Sequence, residues 1–421
     1  MLYLLILILC VFLLYFASRK TLLIDPGFLH VIVFFVSILF LYFSFYFYFK
    51  DTNHYWTLWS SVEVVNEVIF LNTVYVVFFT IFYLILLKIF GSKVNLNEVY
   101  YKNEKTYDLT YFVIVLVLIF FIDFFLSVFA YDYISVYFSN VLNIAFLIVL
   151  ALSLNKIKSP IWILITSIII AFYLMFIHFP IIVGGDEYIV NKGGVIKLVI
   201  FSLIFIDIIR SKKIFTTKLF FISIVSLPVF LGLANFVELW MDGVSVNFKD
   251  LVIYVSSGFE LRMMENQAFI LDRLDRGVLT EQSGSTYLNA VTEVFLPLQN
   301  SHLSPTQWLS NYISEGASGY NFSFIAEGIF NFGRKGVIFA AFLAACILYF
   351  VRLLLRIRWI ITPFVFASMF TLPYYVFRSD LQYILKIIQF NLYCFVIIGA
   401  LHFVVRQFLI TISKRNIDRV D

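Results

Sequence analysis

Residues 376–380, VFRSD, set Arg378 and Asp380 between two apolar stretches. A guanidinium keeps its charge at any working pH and grips phosphate through paired N–H groups. The competing reading is a local ion pair in which Asp380 neutralises Arg378. A second group of arginines lies in FELRMMENQAFILDRLDR, residues 259–276. On a helix, Arg262 and Arg273 point within about 20° of each other and lie roughly 16 Å apart along the axis. Arg276 falls about 40° to the other side of Arg262. Together they form a cationic face beside an apolar one (Phe259, Met263, Ile270, Leu274). That face suits a phosphate, and a solvated helix with an Asp272–Arg276 ion pair reads the same residues without a ligand.

GYNFSFIAEGIFNFGRKG, residues 319–336, brings four glycines and several aromatic rings together with Glu327, Asn331 and Arg334. Over a helix at 322–335 these three follow i, i+4, i+7 spacing and make one polar stripe, with Asn321 or Ser323 as the cap. A polar stripe at a membrane edge faces a wet cavity or the protein interior. Capping with interfacial anchoring is the alternative. His302, in LQNSHLSP, titrates near neutrality when unperturbed and is a candidate base. Asp186, in the acidic turn GGDE at 184–187, is another. No HExxH, Walker A or GxSxG motif occurs, nor a carboxylate cluster suited to a divalent metal, so we expect neither metal nor cofactor.

The elements that must hold these residues are membrane helices. The chain has 421 residues, 62% of them apolar and 13% charged, more apolar surface than a soluble domain can bury. Apolar stretches at 2–17, 28–49, 67–88, 111–131, 134–154, 160–182, 194–210, 217–238, 336–355, 359–377 and 382–405 read as eleven spans. Basic residues alternate between the connections: Arg19/Lys20, Lys156/Lys158 and Arg352/Arg356/Arg358 fall on one side, and short loops such as 184–193 carry few. The positive-inside rule then places the N-terminus outside and the C-terminus in the cytoplasm. The fold expectation is an all-α polytopic membrane protein with three parts: spans 1–8 in residues 1–238, an extracytoplasmic loop of amphipathic helices at 239–335, and spans 9–11 with a cytoplasmic tail at 336–421. The loop is rich in aromatic residues, so it is expected to fold into short helices over the membrane surface. Cys10, Cys346 and Cys394 all lie in apolar runs, which argues against disulfides. No basic patch suits nucleic acid.

The segment with Ile325, Ala326, Glu327, Asn331, Phe332, Gly333 and Gly336, followed by FRSD with Arg378 and Asp380, resembles the O-antigen and related oligosaccharide repeat-unit polymerases, the Wzy-type proteins. The resemblance implies a metal-independent glycosyltransferase in the bacterial inner membrane. Such an enzyme joins repeat units carried on undecaprenyl pyrophosphate, alongside a flippase and a chain-length regulator of the same pathway. It implies pyrophosphate contacts at Arg378 and, less directly, at Arg262, Arg273 and Arg276. A catalytic base among His302, Glu327 and Asp186 follows, with Asn331, Gly333 and Asp380 shaping the site. An O-antigen ligase shares the span count and the long late loop. A flippase or transporter of lipid-linked sugars is the alternative from another class, but the paired halves typical of transporters are not evident. A membrane scaffold is the fourth reading.

Overall fold

The computed structural model describes residues 2–18, 25–44, 62–90, 109–128, 132–159, 180–183, 187–190, 259–295, 303–314, 322–354 and 372–417, with a few positions between 162 and 169. Among the described residues five helices come first: α1 (Leu2–Ser18), α2 (Pro26–Ser44), α3 (Val62–Phe90), α4 (Leu109–Val128) and α5 (Asp132–Asn155). A two-stranded antiparallel pair follows, β1 (Pro180–Val183) with β2 (Glu187–Val190), in register Ile181 to Ile189. Then come α6 (Phe259–Asp275), α7 (Ser285–Phe295), α8 (Pro305–Ser314), α9 (Phe324–Phe332), α10 (Gly336–Leu354), α11 (Leu372–Arg378) and α12 (Leu381–Ile417).

Among the described residues, four stretches are long and apolar enough to cross a membrane: Asn66–Phe90, Leu109–Leu126, Phe324–Leu354 and Leu381–Ile412. Their outward faces carry large apolar side chains, among them Phe120, Phe121, Phe124 and Phe125 of α4 and Tyr393, Val396 and Phe403 of α12. Water would penalise such a surface and lipid tails do not, so the chain is membrane-embedded. The expected spans 2–17, 28–49, 67–88, 111–131, 134–154, 336–355 and 382–405 fall on α1 to α5, α10 and α12. Those at 194–210 and 217–238 lie outside the described residues, as does most of 160–182 and of 359–377.

At the centre, α3 packs against α1, α2, α6 and α10. Two charge clusters mark opposite ends of α10. Just before its first turn, Arg334 grips Glu67 of α3 and Asp275 of α6. In its last turn, Arg352 pairs with Asp25, and both side chains are buried. Asp25 also caps α2, accepting the Gly27 N–H at 2.9 Å ahead of a helix that begins with Pro26. At 1.5 Å per residue the two clusters are about 27 Å apart, close to the thickness of a hydrocarbon core.

Segment 259–335 differs from the expected surface layer. Asn266 through Leu271 of α6 are all buried, and α6 packs on α3 and α9. Tyr287, Ala290 and Val294 of α7 are buried, and Gln389 of α12 donates to the Val294 carbonyl at 2.8 Å. These helices are part of the bundle. The amphipathic pattern indicates an apolar face, and here that face is covered by protein.

Candidate functional site

Helix α9 folds back in a tight hairpin against α10. Ser323 caps α9, accepting the Ala326 N–H at 3.1 Å. Gln267 donates to the same hydroxyl at 3.0 Å, and Asn72 donates to Gln267 at 2.6 Å. That relay fixes the start of α9 to α6 and α3. Its end is set by Gly333, at φ 61° and ψ −151°, whose N–H donates to Ile329 O. This backbone region is essentially closed to residues with a Cβ. A Cβ on Gly336 would overlap the Gly328 carbonyl, so the glycines at these two positions permit the two helices to touch.

The turn also corrects the expected polar stripe. Because the α-helix stops at Phe332 and a 3-10 turn spans Gly333–Lys335, Arg334 leaves the face of Glu327 and Asn331. It is instead bidentate to Asp275, at 2.8 Å for each bond, and bound to Glu67.

Glu327 and Asn331 are fully buried. Thr286 of α7 joins them: its hydroxyl donates to Glu327 Oε1 at 2.8 Å and accepts from Asn331 Nδ2 at 2.6 Å. The other carboxylate oxygen, Oε2, accepts the Leu381 N–H at 2.7 Å. Leu381 is the first residue of α12, so Glu327 satisfies one of the helix's orphan donors and sits at its positive end. Asp380 is the N-cap of the same helix. Its Oδ1 accepts the Tyr383 N–H at 2.9 Å, and its Oδ2 accepts the Thr306 hydroxyl at 2.6 Å and the Thr306 N–H at 3.2 Å. The two segments singled out in the sequence, Glu327–Gly336 and Arg378–Asp380, therefore meet at one helix N-terminus. The carboxylate of Asp380 is committed to Thr306 and Tyr383, not to an ion pair with Arg378.

Arg378, at the end of α11, donates to the Tyr374 hydroxyl at 3.1 Å and lies over its ring. A buried histidine anchors α11: His30 Nδ1 donates to Pro373 O at 2.8 Å, and its Nε2 accepts from the Tyr75 hydroxyl at 2.9 Å. The carbonyl can only accept, which fixes this tautomer. Arg378 opens onto a cavity of about 360 Å³, within the range of small-ligand sites. Thr306, Tyr375, Asp380, Tyr383 and Lys386 share its wall. Burial raises the Asp380 carboxyl above the ordinary aspartate range, against the bonds from Thr306 and Tyr383 and the charge of Lys386. The Tyr287 hydroxyl is also pushed up, by burial first and then by Glu327, so it stays neutral. A cavity carrying two cations beside a helix N-terminus can hold an anion.

The other candidates fall elsewhere. Arg276 lies just past the end of α6, paired with Asp272 at 2.9 Å, and Arg273 sits over the Phe269 ring. Neither borders the cavity. The backbone of Arg262 is in α6, and its side chain is outside the described residues, as are His302 and Asp186 altogether. Glu327 lies behind the cavity wall, where it holds the start of α12. Sequence reasoning missed Lys386, Thr286, Thr306 and His30. Lys386 and His30 carried a signal, since each is an ionisable residue inside an apolar run. The threonines carried none.

Fold and site together define a membrane-embedded helical protein with a cationic cavity at the start of a membrane helix. Comparison with protein-family models, curated proteins and solved structures finds no match for this chain.

Proposed function

We propose that this chain is a polymerase that joins oligosaccharide repeat units carried on undecaprenyl pyrophosphate into a surface polysaccharide. On this reading it crosses the bacterial inner membrane eleven times, N-terminus outside, with the cavity opening to the extracytoplasmic side. One observation carries the proposal: Arg378 borders a cavity of about 360 Å³ where the Glu327 hairpin meets the start of α12. An acceptor hydroxyl attacks the anomeric carbon of the growing chain, and the bond from that carbon to the diphosphate oxygen breaks. The diphosphate leaves with the bonding electrons, and Arg378 stabilises the charge it gains. The hydroxyl proton passes to a base. His302, two positions before the cavity residue Ser304 in the chain, is the candidate. Glu327 acts as a positioning residue, because it holds the α12 N-terminus without bordering the cavity.

The test is genetic. Deleting the gene and complementing it with wild type or Arg378→Ala is read on a gel of surface polysaccharide. Collapse of the ladder to a single repeat, in the deletion and in the variant at normal protein level, supports the polymerase. Loss of every rung on the lipid core means a ligase, and repeat units trapped inside mean a flippase. A full ladder from Arg378→Ala removes the role given to that arginine.

A further inference from the structure

We propose that Lys386 is the second cation of the cavity and makes it selective for a sugar diphosphate lipid over the matching monophosphate lipid. The inference rests on the phosphate-site reading above and deepens it. Lys386 follows Gln382 by one turn on α12, so both line the same wall as Arg378. The side chain is exposed, and among the described residues it makes no hydrogen bond and no ion pair. Its charge acts on the Asp380 carboxyl of the same wall, and an ammonium is unusual in a helix whose outward residues are apolar, where such a charge is kept when it serves a site.

The chemistry of the two ligands gives the selectivity. A lipid–diphosphate–sugar carries two negative charges on adjacent phosphoryl groups, whereas a lipid–monophosphate–sugar carries one. A guanidinium matches one phosphoryl with its planar fork, and a lysine ammonium serves as a point charge for its neighbour. Tyr375 and Tyr383 line the same wall. Asp380 also borders the cavity, but both its oxygens already accept hydrogen bonds from Thr306 and Tyr383. The bland alternative is a lysine that reaches past its helix end to the membrane surface and touches no ligand.

The experiment uses the full-length protein in nanodiscs and two probes, a short-chain polyprenyl diphosphate sugar and the corresponding monophosphate sugar. Wild type is expected to prefer the diphosphate by about ten-fold or more, the scale of one added charge-assisted contact. In Lys386→Gln and Lys386→Met the preference should fall to within about two-fold while monophosphate binding persists, and Lys386→Arg should retain it. Wild-type preference in both uncharged variants overturns the inference and leaves Lys386 a surface anchor. Equal binding of the two probes by wild type overturns it as well. Failure of wild type to bind either probe overturns the phosphate site and the proposed function with it.

Discussion

Glu327 offers the sharpest test of how the site is built. Its carboxylate accepts two hydrogen bonds in a fully buried position, from Thr286 at 2.8 Å and from Leu381 N–H at 2.7 Å. Glu327→Ala removes both acceptors and leaves a hole. Each orphaned donor costs about 1–3 kcal/mol, so the expected loss from the two is about 2–6 kcal/mol. Glu327→Gln keeps the shape. Its amide oxygen can take the Leu381 N–H, its NH₂ can donate to the second lone pair of the Thr286 hydroxyl, and the hydroxyl proton of this half-buried threonine can turn to water. That change should cost about 1 kcal/mol or less. The assay is thermal unfolding in detergent, followed by tryptophan fluorescence, alongside polymer formation in cells. The alanine variant should melt well below wild type and make no polymer. The glutamine variant should melt near wild type and keep most activity, because the residue acts through α12. An alanine variant as stable as wild type would refute the framework role. A stable glutamine variant with no polymer would show that the charge itself takes part.

Three further outcomes follow from the geometry. Gly333→Ala forces a Cβ into a φ of +61° and against Glu281, and it should cost about 1–3 kcal/mol, read as lower melting temperature and yield. Because burial raises the Asp380 carboxyl in the fold, its contribution to stability is complete below the ordinary aspartate range and is lost as pH rises through the raised value. Melting of wild type should therefore fall relative to Asp380→Asn on going from about pH 4 upward, and parallel profiles would contradict this. His30→Leu leaves the Pro373 carbonyl and the Tyr75 hydroxyl without their partner, and it should destabilise by about 2–4 kcal/mol, checked by the same unfolding assay.

Local chemistry made part of this architecture readable. Apolar run length located the helices, because a bilayer sets that length directly. The cap at Ser323 and the Glu327–Asn331 face followed from residue type and spacing. Arg334 did not, because a single left-handed glycine ended the helix one residue before it and turned its side chain towards Glu67 and Asp275. The Arg262/Arg273/Arg276 face assumed that α6 rests on lipid. A helix apolar on one side is equally suited to a protein groove, and α3 with α9 supplies one. Thr286 and Thr306 were invisible because a threonine that bridges two distant segments looks like any other threonine along the chain. The meeting of Glu327 with Leu381 crosses 54 positions, and no local pattern encodes that distance.

On the polymerase reading, a fixed guanidinium in this cavity supports departure of a diphosphate from a sugar. The most direct measurement is polymer synthesis by purified protein in liposomes, supplied with a lipid-diphosphate-linked repeat unit. Wild type should extend the substrate into a ladder, Arg378→Lys should yield a shorter and slower one, and Arg378→Ala should leave the single unit. A wild-type ladder from Arg378→Ala, at equal protein and intact fold, would contradict the account.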